Sequence, residues 1–270
     1  MASNRYLPDT NRVSVLTAMV LLSFALTRLI PTPEYALELQ LPGIYVAFAL
    51  DLNIVIIILA AGLTATGMDW LLRSHPMMKG KRTIEHWFLP MLTSLVLGVP
   101  LYLLPFGSLW WIGFAIGGVL LILVFWAEYV VVSPGDTSYP TAIAVLTVIS
   151  FALYLILCIV LRYAGIRLFL LAPALLMATF LVSLRTLHLR LGGRWVFAWA
   201  AGIALVSVQL AAGLHYWPMT PIRYGMLLLG PLYALTSLAA SLGEGIPLRR
   251  AMVEPVVMLG LVWGVGLWIG

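Results

Sequence analysis

Residues 43–72 read GIYVAFALDLNIVIIILAAGLTATGMDWLL, and four basic residues follow at once: Arg73, Lys79, Lys81 and Arg82. An apolar run of ~20 residues spans the hydrocarbon of a bilayer, and Lys/Arg clustered beside it marks the cytoplasmic side. The run is too long and too apolar for a helix in a soluble core. It places every other segment by parity.

The whole chain shares this character. Its 270 residues are 63% hydrophobic and 9% charged, with a mean hydropathy of +1.06. Soluble domains run near 45–50% apolar and about 25% charged. The net charge of +5 does not point to nucleic acid, because the basic residues are spread over loops between apolar runs. The single cysteine, Cys158, lies in an apolar segment, so no intramolecular disulfide can form. The apolar run at 13–30 exceeds the h-region of a cleavable signal and lacks a small-residue cleavage site, so it reads as a retained first span.

The expected fold is therefore all-α, a single polytopic transmembrane domain over residues 1–270 with about nine helices. Span 1 covers about 13–30, and the connection PTPEYALELQLP reads as an outer loop. Four helical hairpins then follow at about 44–104, 109–161, 166–217 and 222–268. Counting basic residues orients them. One side holds Arg5, Arg12, Arg73, Lys79, Lys81, Arg82, Arg185, Arg190, Arg194, Arg249 and Arg250; the other holds Arg28, Arg162, Arg167 and Arg223. That split predicts the N-terminus inside, the C-terminus outside, and residence in a cell inner (plasma) membrane. Trp70, Trp87, Trp110, Trp111, Trp195, Trp217 and Trp268 fall at span ends, where amphipathic rings prefer the headgroup region.

A repeat is hinted at. LAPALLMATFL (171–181) resembles LGPLYALTSLA (229–239) at an offset of 58 residues, with Pro173 and Pro231 near corresponding positions. The null explanation is that two spans plus their loops give this spacing without ancestry.

Motifs that carry chemistry are mostly missing. No phosphate-cradling G-x-x-x-x-G-K-[ST], no H-E-x-x-H, no C-x-x-C and no G-x-S-x-G is present, so neither a cofactor nor a metal is expected. His75, His86, His188 and His215 lie at or near span ends and read as interfacial residues. Glu85 and His86 could form an acid–base pair, but adjacent residues on a helix point apart.

Ionisable residues at membrane depth are costly and usually face the bundle interior. The candidates are Asp51, Arg28, Glu128, Arg185, Asp69 and Glu244. Asp51 is expected about seven residues inside span 2, on one stripe with Val55, Ile58, Gly62, Ala65 and Asp69, and paired with Arg28. Glu128 shares a face with Gly113 and Gly117 and is expected to contact Arg185 first and Arg73 second.

Three functions from different classes follow. The leading one is a non-catalytic membrane module, a scaffold or accessory subunit whose charges serve packing, with the lipid bilayer and other membrane subunits as partners. The second is a small transporter with Asp51 on its path. The third is an intramembrane enzyme acting on a lipid, although an enzyme is the less favoured expectation.

Overall fold

The computed structural model describes the backbone of residues 7–29, 34–41, 44–78 and 83–269, and their side chains except at 29–52. Arg5, Lys79, Lys81 and Arg82 of the orientation count lie outside the described residues. Two compact units result, Met1–Asp136 and Thr137–Gly270.

The first unit opens with α1 (Thr10–Leu29). Asp9 starts it: its carboxylate accepts from Asn11 N at 3.0 Å, satisfying one of the orphan donors of the first turn. An antiparallel pair follows, β1 (Glu34–Leu41) and β2 (Ile44–Asp51), in register from Glu34 opposite Asp51 to Leu41 opposite Ile44. Then come α2 (Leu52–Leu72), α3 (Phe88–Leu103) and α4 (Ser108–Val131). Short 3-10 turns at Pro76–Met78 and Ile84–His86 lie between α2 and α3.

The strand pair corrects the sequence reading of span 2. Residues 44–51 were expected to be helical, yet they pair with 34–41 and the helix begins only at Leu52. The cause is visible in EYALELQL, where Tyr35, Leu37, Leu39 and Leu41 alternate with polar or small residues at the period of a strand. Asp51 is thus the last residue of a strand, not a residue buried two turns into a helix. Of the expected stripe, Ala65 is buried and Asp69 half-buried. Val55, Ile58 and Gly62 are exposed, whereas Ile57, Ala60, Ala61 and Met68 face the core.

In the first unit α2 packs on α1 and α3, and α4 closes the bundle against α1 and α3. Close approach depends on small residues: a Cβ on Gly67 would come within 2.0 Å of Leu16 on α1. Trp110, expected at the interface, is 1% exposed, and its indole N–H donates to Leu101 O at 3.0 Å. It is a core residue because α4 begins against the end of α3.

The second unit contains α5 (Tyr139–Tyr163), α6 (Leu168–Arg190), α7 (Phe197–His215), α8 (Pro221–Gly243), the short α9 (Leu248–Ala251) and α10 (Val253–Trp268). Here α6 packs on α5 and α7, and α8 contacts α5, α7 and α10. Gly165 and Gly245 end α5 and α8 with positive φ of 63° and 82°. In each case the residue after the glycine donates back to the helix, Ile166 to Leu161 O and Ile246 to Ser241 O. Pro173 and Pro231 both lie inside helices, α6 and α8.

Among the described residues, nine helices are long and apolar enough to cross a membrane. Large apolar side chains such as Leu59, Val148, Phe197 and Leu261 are exposed on them. A surface of this kind matches a hydrocarbon solvent better than water, which supports a membrane protein.

Candidate functional site

A polar cluster of the first unit sits where α2 ends. Two histidines are buried there, His75 at 1% and His86 at 3% exposure, contrary to the interfacial role expected of them. His75 directly precedes the 3-10 turn Pro76–Met78, and His86 ends the 3-10 turn Ile84–His86.

His86 lies between two carboxylates. Its Nδ1 is 2.7 Å from Oε2 of Glu128, which is fully buried on α4, and its Nε2 is 3.3 Å from Oε1 of Glu85. The imidazole thus bridges the two carboxyl groups, one at each ring nitrogen. The objection that adjacent residues point apart fails here because the segment is a single 3-10 turn rather than an α-helix.

His75 is held differently. Met77 N donates to its Nδ1 at 3.1 Å, so the proton sits on Nε2, which donates to Ser133 Oγ at 3.2 Å. The Ser133 hydroxyl donates onward to Met77 Sδ at 3.3 Å, and the Tyr129 ring meets the imidazole edge-on at 4.7 Å. Burial, together with the charge of nearby His86, holds the His75 imidazole below the ordinary histidine range.

Asp69 adds a third node. It accepts from Arg73 Nε at 2.6 Å and from the Thr83 hydroxyl. Beside it, the Arg12 guanidinium stacks 4.8 Å over the Trp70 ring, joining the start of α1 to the end of α2.

Arginines meet helix ends in both units. Arg28, in the last turn of α1, donates to Leu101 O at 2.7 Å, to Tyr102 O at 2.8 Å and to Leu104 O. In the second unit Arg162, in the last turn of α5, donates to His215 O and to Trp217 O at 2.8 Å. Arg223 donates to Leu267 O at 3.2 Å. Each guanidinium therefore meets carbonyls at the C-terminal end of another helix, α3, α7 and α10 in turn. Those carbonyls lack intrahelical partners and carry the negative end of the dipole.

The remaining candidates lie as follows. Glu244 is 3.6 Å from Arg190, and Arg190 also donates to Ser237 Oγ at 3.4 Å. Arg185 is 1% exposed on α6 of the second unit, while Glu128 belongs to the first. Arg73, the second partner expected for Glu128, pairs with Asp69. The Asp51 side chain lies outside the described residues, and the expected Asp51–Arg28 pair lies there with it.

What sequence reasoning missed was the histidines. Glu85-His86 was visible as a pair, but the approach of Glu128 across 42 residues has no local signal. His188 is likewise buried, stacked at 4.2 Å on Trp195. Among the described residues no group of three or more His, Cys, Asp or Glu is placed to hold a metal ion.

No curated protein and no solved structure matches the chain. One family model does, over residues 31–269, which includes the strand pair and all helices after α1. The chain belongs to that family, described as protein of unknown function (DUF5656).

Proposed function

We propose that the protein is a multi-pass module of the cell inner membrane, N-terminus inside and C-terminus outside, acting as a scaffold or accessory subunit rather than as a catalyst. The observation that carries this reading is the use made of its charges. Asp69, Glu128 and Glu244 meet Arg73, His86 and Arg190, and Arg28, Arg162 and Arg223 meet helix ends. Charges held this way serve packing, since a carboxylate or guanidinium at membrane depth needs a partner. Transport along Asp51 is less favoured now that this residue ends a strand instead of sitting within a span.

A second reading, intramembrane chemistry on a lipid, has one observation in its favour. A histidine held between two carboxylates is an arrangement suited to general acid–base work. One comparison separates the two readings. Wild type and Glu128→Gln, each in proteoliposomes loaded with a pH-sensitive dye, should both show the proton leak of protein-free vesicles, while the variant melts at lower temperature in detergent. A proton or solute flux, or a lipid turnover, that depends on Glu128 would sink the packing reading.

A further inference from the structure

At the end of the second unit where α5 stops and α6 starts, a cavity of about 590 Å³ is lined by Gly165, Arg167, Leu168, Phe169, Ala172, His215 and Tyr216. Arg167 differs from its neighbours. Arg162 and Arg223 are taken up by helix C-termini, whereas the exposed Arg167 side chain makes no hydrogen bond or ion pair among the described residues; its carbonyl accepts from Leu170 N and Leu171 N, both at 3.0 Å. The second unit has two acidic residues, Glu244 and Glu254, and both are engaged elsewhere, with Arg190 and with the Tyr233 hydroxyl. At this end of the unit no carboxylate among the described residues is recorded against the exposed Arg167 guanidinium. His215 also lines the cavity, and its Nδ1 is buried without a hydrogen-bond partner among the described residues.

The rest of the lining is apolar, Leu168, Phe169 and Ala172, so the cavity is basic in one part and greasy in the other. Exposed Tyr163, Tyr216 and Trp217 ring the same end, the residue types that sit at headgroup level. We infer that this cavity binds a phosphate-bearing anion, with Arg167 as the guanidinium fork for its oxygens and Leu168 and Ala172 beside an acyl chain. Guanidinium matches phosphate geometry with two parallel hydrogen bonds. The lipid source rests on the membrane reading above; the anion site itself does not.

The test is native mass spectrometry of the full chain in a non-ionic detergent. The probes are phosphatidylglycerol, phosphatidylcholine and inorganic phosphate, against wild type, Arg167→Gln and Arg167→Lys, with Arg73→Gln in the first unit as a control. Wild type should hold one more phosphatidylglycerol than Arg167→Gln, with at least ten-fold weaker binding at that site in the variant. Arg167→Lys should restore part of it, and Arg73→Gln should leave this difference unchanged. Competition by inorganic phosphate at equal affinity would assign the site to a free anion rather than to a lipid, which upholds the anion site and removes the acyl contact. Equal retention of phosphatidylglycerol by wild type and Arg167→Gln, both with unchanged melting temperature, would overturn the inference. So would equal binding of phosphatidylcholine and phosphatidylglycerol at this site.

Discussion

Nδ1 of His86 and Oε2 of Glu128 stand 2.7 Å apart, although 42 residues separate them in the chain. Glu128 is fully buried, and this contact gives its carboxyl group a polar partner there. The bond ties the segment before α3 to the last turns of α4. His75, Ser133 and Met77 tie the end of α2 to the residues just after α4. Polar groups thus close the basic end of the first unit, while Trp110, Leu121 and Phe125 fill its interior.

The arginines at helix ends predict a graded loss. Arg28→Gln leaves the α3 carbonyls of Leu101 and Tyr102 without their charged donor and should cost about 2 kcal/mol in detergent unfolding. Arg28→Lys should recover part of this, because an ammonium cannot spread its donors as a guanidinium does. Equal stability of Arg28→Gln and wild type would show that the contacts are incidental.

His75 predicts a pH dependence. Its imidazole is held below the ordinary value of about 6.5 by burial and by the charge of His86. The unfolded chain therefore takes up the proton first as pH falls. Stability from this group is complete above about pH 6.5 and declines as pH drops from there toward the lower folded value. Thermal scans between pH 7.5 and 5 should show this decline in wild type and a shallower one in His75→Asn. Parallel curves would remove His75 as the cause.

Topology is tested by reporters. A reporter fused after Gly270 should lie in the outer compartment and one inserted near Lys79 in the inner one. Both on one side would refute nine spans.

Much of this was legible because hydrophobic length is a local property. The runs that give α4 to α8 are unbroken, and glycines 165 and 245 punctuate them. Residues 44–51 misled for a related reason. They are apolar enough to extend the next helix, and only their partner 34–41 carries a clean two-residue period. The histidine cluster could not be read, since it depends on which helix ends meet, and no spacing encodes that. The same holds for Arg28 and Arg162. As outer arginines they were exceptions to the charge bias, and their targets are carbonyls, which every residue carries.

The claim on which the account turns is that the buried charges are packing elements acting in pairs. A double-mutant cycle on Glu128→Gln and His86→Gln, read by unfolding in detergent, measures this directly. Each single change should cost about 3–5 kcal/mol, as for a broken buried pair. The double variant should lose less than the sum, by at least about 1 kcal/mol. Additivity within about 0.5 kcal/mol would contradict the account, because the two side chains would then stabilise the fold independently.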